Sequence, residues 1–367
     1  MENAKIQIEV HQHKINQNWV YAAIGLRGGF ATKDYLLDGT DIFHGNYAFY
    51  NILFNYFRLT EAEVGLHYDV QRATAVLSFG AEKAMFVRKL NSILNNLLKF
   101  EYNAATFEQA KQKTIEGFAN QYKDGAFRAK LKIFEYSELH KQFTLKRLID
   151  ELQSISFEEF LECIKILLVP GNLCVYILGD ISPAELQNVK LNDITAHHFV
   201  APAGHGFDPL LRNDAHITNI ARENYNLSVI TMDFLNDETT VFARNLIAEI
   251  TAGMLTCHDV EVWSDALDTS IIFSGEELRS YKNELREISA ECFDIAHKKV
   301  VRQYIVMLES MPEHFAVKAV NFLLTGVYMD QYLTYLNGCT FEMFCEICQK
   351  ADFKLNEAQI ILRKGSR

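Results

Sequence analysis

Proline is scarce in this chain, at 5 of 367 residues, and glycine is modest at 18. Counts that low exclude long flexible linkers, low-complexity stretches and collagen-like repeats. No run of about 18 apolar residues occurs anywhere, so no transmembrane helix is expected. The opening MENAKIQIEVHQHK lacks the apolar stretch of a signal peptide, which makes a cytoplasmic location the expectation. A polybasic run is missing too. Lys and Arg total 36 against 47 Asp and Glu, a net charge of −11, and nucleic acid is an unsuitable partner because phosphate binding rests on clustered cations. Cysteine is odd in number at 7 and scattered through apolar segments, as at Cys163, Cys174 and Cys292. That usage indicates reduced core thiols rather than a disulfide framework. The G-x-S-x-G elbow, the P-loop and G-x-G-x-x-G are all absent, and Gly28-Gly29 reads as a bend at a strand end.

What is present is a globular composition, 49% hydrophobic and 23% charged, with 26 Phe and 16 Tyr to fill large cores. The length exceeds what one hydrophobic core usually serves, so two domains are expected. Residues 5–30 read as two strands joined at Asn16-Gln17-Asn18. The Asp38-Gly39 turn then leads toward Phe43, Tyr47, Tyr50, Phe54 and Phe57, whose spacing is that of an amphipathic helix bearing His44. Paired strands near 64–69 and 72–79 follow, then a helix from about Ala81 to Lys99 and another from an N-cap at Thr106 to about Lys123. Ser156 caps a further helix, Pro170-Gly171-Asn172 closes it, and a buried strand over 173–178 ends at Gly179-Asp180.

Residues 183–224 form a less regular connection, after which the pattern restarts. NYNLSVITMDF from Asn224 echoes NQNWVYAAIGL from Asn16, and a long apolar helix, Val241 to Met254, follows it in the same way. This restart reads as an internal duplication. Further on are strands over 260–263 and 270–273, helices over 276–296, 299–309, 313–324 and 340–351, a turn at Asn337-Gly338, and a terminal strand over 357–363.

Several side chains invite a metal reading and have a plainer one. His11 and His13 share a strand face with no third ligand in sequence, so an exposed edge strand accounts for them. His197, His198 and His205 sit in the connection without spaced acids or cysteines. His258 with Glu261 is an H-x-x-E lacking its second His, and Cys345 with Cys348, near Cys339, is a C-x-x-C without a second pair.

The strand, glycine pair and apolar helix, followed by the capped helix, the V-P-G-N turn, the apolar strand and the terminal G-D, resemble the insulinase and pitrilysin superfamily of zinc metallopeptidases. The resemblance implies a fold of two tandem homologous α+β domains, each a mainly antiparallel or mixed sheet with helices packed mainly on one face. The corresponding bounds are an amino-terminal domain over 1–182, a linker over 183–224 and a carboxy-terminal domain over 225–367. Members of the superfamily carry H-x-x-E-H on a helix, with two imidazoles on one face for zinc and a Glu to activate water. Set on His44, the motif here reads His44-Gly45-Asn46-Tyr47-Ala48, with Tyr47 in place of Glu and Ala48 in place of the second ligand. The third ligand belongs to an acidic pair, which the stretch from Ile115 to Asp124 replaces with Gly117-Phe118. Glu116 is one residue off, about 100° around the helix. An Arg and a Tyr that hold substrate in active relatives correspond to Thr256 and Trp263.

The resemblance thus implies an inactive homologue, with no catalytic residue, no metal and no cofactor of its own. Such chains resemble the non-catalytic halves of processing and bacteriocin-maturation peptidases. The implied partners are a homologous catalytic subunit with an intact zinc motif and a peptide substrate, with His44, Tyr47, Phe118, Thr256 and Trp263 lining the peptide cavity. A stand-alone peptide-binding scaffold or leader-peptide chaperone is the alternative, and an enzyme with relocated zinc ligands a third reading.

Overall fold

The computed structural model describes residues 6–13, 18–60, 65–98, 101–136, 145–187, 189, 199–203, 215–221, 225–234, 239–255, 260–264, 269–274 and 288–364. His197, His198, His205, Thr256, His258 and the Asn16-Gln17 part of the first turn lie outside the described residues.

In chain order the first half holds β1 (Gln7–His11), β2 (Trp19–Arg27), β3 (Asp34–Leu37), β4 (Asp41–His44), α1 (Phe49–Thr60), β5 (Leu66–Val70) and β6 (Thr74–Glu82). There follow α2 (Lys83–Leu98), α3 (Ala104–Gln121), α4 (Gly125–Tyr136), α5 (Leu145–Ser154), α6 (Phe157–Leu167), β7 (Leu173–Gly179), α7 (Pro183–Leu186) and β8 (Val200–Pro202). The second half holds β9 (Ala215–Ala221), β10 (Tyr225–Phe234), α8 (Val241–Met254), β11 (Val260–Ser264) and β12 (Thr269–Ser274). It ends with α9 (Ala290–Ser310), α10 (Pro312–Leu324), α11 (Met329–Gly338), α12 (Phe341–Ala351) and β13 (Phe353–Lys364).

The duplication expected from the restart at Asn224 is visible in the strand order. One five-stranded sheet runs β1-β7-β2-β6-β5 and the other, read from its far edge, β9-β13-β10-β12-β11. Pairing directions match as well: β1 with β7 and β9 with β13 are parallel, and every other neighbour pair in the two sheets is antiparallel. The expected fold of two similar mixed-sheet α+β domains is therefore the observed one.

Packing divides the chain into two compact units, Met1–Glu116 with Leu148–Ala203 and Val306–Asp330, and Gly117–Arg147 with Gly204–Ile305 and Gln331–Arg367. These bounds differ from the contiguous 1–182, 183–224 and 225–367 division. Each half of the sequence supplies a helix to the unit built on the other half's sheet. In the first unit α10 packs on β2, β7 and β6, and in the second α4 packs on β10 and β13. The fit of α10 is close because β2 carries Gly25 there: a Cβ at that point would lie 2.8 Å from Leu324 Cδ1 and 3.0 Å from Val320 Cγ2. On the same face Ser78 of β6 donates to Glu313 Oε1 at 2.8 Å. The opposite face of β6 presents Phe79, stacked at 5.7 Å on Phe86 of α2. Covered on both faces, β2 is buried without a break from Ala22 to Leu26, a continuous apolar run rather than an alternating one.

Local signals account for several boundaries. Ser156 caps α6 through a full capping box with Glu159, as the sequence indicates. At α3 the cap is Asn103, whose Oδ1 accepts the Thr106 N–H at 2.8 Å, so Thr106 lies inside the first turn instead of capping it. Asn337-Gly338, expected as a turn between elements, ends the helix α11. Of the helices expected over 276–296 and 299–309, residues 276–287 lie outside the described residues, and the rest form one continuous helix, α9.

Candidate functional site

The clearest departure from the sequence reading lies at His44. Asp38 and Gly39 both adopt positive φ, 51° and 78°, in a three-residue hairpin connection closed by the Thr40 N–H to Leu37 O bond at 3.1 Å. The hairpin they make is β3 paired with β4, and β8 extends it to three strands through β3. His44 closes the ladder opposite Asp34, so it sits on a strand and not on the helix that follows. Its Nδ1 is 2.7 Å from Asp34 Oδ1, with the aspartate side chain 6% exposed and the imidazole 71% exposed. Phe43 belongs to the same strand and packs its ring 6.4 Å from Tyr35.

The chain then turns into α1. Gly45 N–H donates to Lys33 O, Asn46 Oδ1 accepts from Ala48 N–H, and Glu151 Oε2 accepts from Tyr47 N–H at 2.9 Å. Lys33 forms an ion pair with the same carboxylate and lies 5.6 Å over the Tyr47 ring. A carboxylate at this end of a helix satisfies an orphan N–H and complements the helix dipole. Tyr47 is only 2% exposed, so its ring is a core element and not an open stacking surface. Ala48 is fully buried.

Along α1 the face turned to α3 carries amides. Asn55 Nδ2 donates to Thr114 Oγ1 at 2.7 Å, and that hydroxyl donates to Ala110 O at 2.8 Å. Asn51 Nδ2 is buried without a hydrogen-bond partner. Nearer the start of α3, Asn103 donates to Tyr56 OH, so the two helices run antiparallel over this contact.

Zinc does not fit this donor set. His44 has a single acid beside it, whereas a catalytic zinc takes about three protein ligands. The residues facing one another across α1 and α3 are carboxamides and a hydroxyl. Among the described residues no three His, Cys, Asp or Glu side chains converge in a way that could hold a metal. Glu116 is exposed and accepts from Gln112 Nε2 at 2.9 Å.

Gly117 and Phe118 continue α3 but belong to the second unit. Gly117 is exposed, with nothing within 4 Å of where a Cβ would stand, and the Phe118 ring packs 6.3 Å from Phe127. Also in that unit, Trp263 Nε1 donates to Glu261 Oε2 at 3.2 Å, and Lys130 pairs with Glu261 at 2.6 Å while lying 6.0 Å over the indole. Cys348 has its thiol pushed up to about 12 by burial, so it presents no ready thiolate.

One titratable cluster escapes the sequence reading. Successive same-face residues of β1 reach the segment Tyr328–Asp330: Gln7 Nε2 donates to Tyr328 OH at 3.1 Å, Glu9 lies near the backbone of Met329 and Asp330 with its buried Oε2 unpartnered among the described residues, and His11 Nδ1 is 2.5 Å from Asp330 Oδ1. Burial, and then Asp330, push the Glu9 carboxyl up to about 7. Asp330 follows His11 by 319 positions, and no local signal joins them.

No protein-family model matches this chain, and no curated protein matches its sequence. Solved structures do match. An M16-like peptidase from Alicyclobacillus acidocaldarius aligns with a TM-score of 0.76 at 13% identity, over 99% of this chain and 98% of that one. A chain of Complex III2 from Candida albicans gives 0.66 at 10% identity, over 97% and 94%. A peptidase M16 inactive domain from Pseudomonas fluorescens gives 0.59 at 12% identity, over 99% and 96%. The chain has the M16-like peptidase fold along its whole length. That is the fold implied by the insulinase and pitrilysin resemblance. No helix among the described residues is long and apolar enough to cross a membrane.

Proposed function

We propose that this chain is a non-catalytic, peptidase-like subunit that forms half of a peptide-holding chamber and leaves metal chemistry to a homologous partner with an intact zinc motif. The observation that carries the reading is the chemistry of α1. H-x-x-E-H acts only on a helix, where positions i and i+4 share a face. His44 lies in β4, so the degenerate motif is better set at the start of α1, on Ala48-Phe49-Tyr50-Asn51-Ile52. In that register the two ligand places are Ala48 and Ile52, both fully buried, and the place of the water-activating Glu is Asn51. Methyl and butyl groups cannot bind zinc, and a carboxamide is no base at neutral pH. Gly117 and Phe118 remain the proposed replacements of the third ligand.

The fold shared with a chain of Complex III2 and with an M16 inactive domain supports a role by shape in an assembly. Peptide processing, including bacteriocin maturation, is the proposed setting. Tyr47, expected from the sequence to line a peptide cavity, is buried and cannot do so.

The test is co-expression with a homologue bearing H-x-x-E-H, then size measurement and a peptide-cleavage assay. The expected result is a complex of the two chains whose cleavage falls at least about tenfold when this chain is omitted, a loss of about 1.4 kcal/mol in transition-state stabilisation. A partner fully active without this chain excludes the subunit role and favours the stand-alone peptide-binding scaffold.

A further inference from the structure

A cavity of about 670 Å³ opens in the first unit where β2 begins and β6 ends, away from the α1 site, with Trp19, Glu82, Lys83, Ala84, Val87 and Glu185 among its walls. Its volume is within the range of small-ligand sites. The charges around it are unevenly committed. Lys83 Nζ lies 3.3 Å from Asp180 Oδ2 and 3.8 Å from Glu185 Oε1. Glu185 also accepts the Ser182 N–H and hydroxyl at the start of α7, where it completes a capping box. Asp180 and Glu185 therefore already serve Lys83, the one cation among the described residues lining the cavity. Among the described residues Glu82 has no ion-pair partner, and it is exposed.

Beside Glu82 stands an aromatic surface. Trp19 and Glu82 are directly paired across the β2–β6 ladder, so both side chains leave the same face of the sheet. The indole leans along β6 over Gly80, where a Cβ would come within 3.5 Å of Trp19 Cε3 and within 3.1 Å of the Tyr21 ring. Trp19 keeps 41% of its surface exposed, an unusual state for the largest apolar side chain in a core-rich chain. The arrangement is thus a free carboxylate next to a free indole, with Ala84 and Val87 as an apolar wall.

We propose that this cavity is a binding site for an alkylguanidinium group, with the guanidinium stacked on Trp19 and forked onto the Glu82 carboxylate while its methylene stem lies on Ala84 and Val87. Guanidinium suits both partners at once: it is planar, weakly hydrated, prefers indole among the aromatic faces and matches a carboxylate through two parallel N–H bonds. Among the described residues three carboxylates surround one ammonium, a net negative balance that disfavours anionic ligands. The source of the group is arginine, free or presented by a peptide, and the site does not rest on the peptidase-like reading.

The chain has 2 tryptophans, so a W263F variant leaves Trp19 as the sole indole reporter. Its emission is titrated with free arginine, with N-acetyl-arginine methylamide and with the citrulline analogue, which keeps the shape and lacks the charge. Saturable change is expected with the arginine compounds, about tenfold tighter than with citrulline, and weakened about tenfold in E82Q. Tighter binding of the blocked amide marks a peptide-borne arginine, and tighter binding of the free amino acid marks a metabolite site. Equal response to citrulline, or binding unchanged by E82Q, overturns the proposal. Calorimetry on the full chain with Trp263 intact provides a second readout should W263F fail to fold, with W19F expected to abolish the heat and retained heat counting against the site.

Discussion

Asn55 Nδ2 and Thr114 Oγ1, 59 residues apart in sequence, meet at 2.7 Å and tie α1 to α3. An amide-to-hydroxyl bond there is structural chemistry. Asn55→Ala and Thr114→Ala, singly and together, are expected to show a coupling of about 1 kcal/mol in urea unfolding. A coupling near zero would mean that the bond adds nothing to the joining of the two helices.

A second polar device lies inside the other unit. Glu249 of α8 is 6% exposed and accepts from Tyr304 OH at 2.8 Å and from Tyr332 OH at 2.6 Å. Burial, followed by the Glu249 charge, raises both phenols well above their ordinary value, so both remain protonated donors. Tyr332→Phe removes one donor from a buried carboxylate and is expected to cost about 1–3 kcal/mol in denaturant unfolding. No loss of stability would show that Glu249 has other sufficient partners.

Glu9 gives a pH dependence of known sign. Its carboxyl in the fold lies at about 7 against an ordinary 4.5, so the fold favours the protonated form. The stabilisation it brings is complete below about pH 4.5 and is lost as pH rises through about 7. His13, lowered by burial and by His11, acts in the opposite sense, its neutral form being favoured. The groups around Glu9 are Asp330, His11 and Tyr176. Glu9→Gln is expected to flatten the fall in unfolding free energy between pH 4.5 and 7 relative to the wild type, and an identical pH profile in the two proteins would contradict this account.

Backbone geometry supplies a prediction of its own. A Cβ on Gly29 would stand 2.0 Å from Gln71 O and 2.8 Å from Arg72 C, and both are main-chain atoms that cannot swing aside. Gly29→Ala is expected to cost about 3 kcal/mol or to prevent folding. Thermal unfolding decides it, and a variant as stable as the wild type would show that the β2–β3 connection can shift freely.

Much of this fold is legible in the sequence wherever the signal is local or repeated. Ser156 and Glu159 announce a helix start at fixed spacing, and the echo of Asn16–Leu26 in Asn224–Phe234 foretells two sheets of one topology. The His44 region misleads for a physical reason. Phe43, Tyr47, Tyr50, Phe54 and Phe57 hold a helical period, yet the Asp38-Gly39 turn pairs Phe43 into a ladder and Gly45 breaks the run before the helix begins. The period is real only from Phe49 onward. Long-range exchange is invisible to any window: nothing near Pro312–Leu324 says that it covers β2, and nothing near His11 points to Asp330. Of the candidate site, the residue types are legible in the sequence, whereas the place of His44 on a strand is not.

Elemental analysis of the purified full chain, after equilibration with zinc and removal of loosely bound metal, tests the central claim most directly. The expected result is no stoichiometric zinc, because the places proposed for its helix ligands hold Ala48 and Ile52. One zinc per chain, lost in His44→Ala, would contradict the account and restore this protein to the metal-bearing side of its fold.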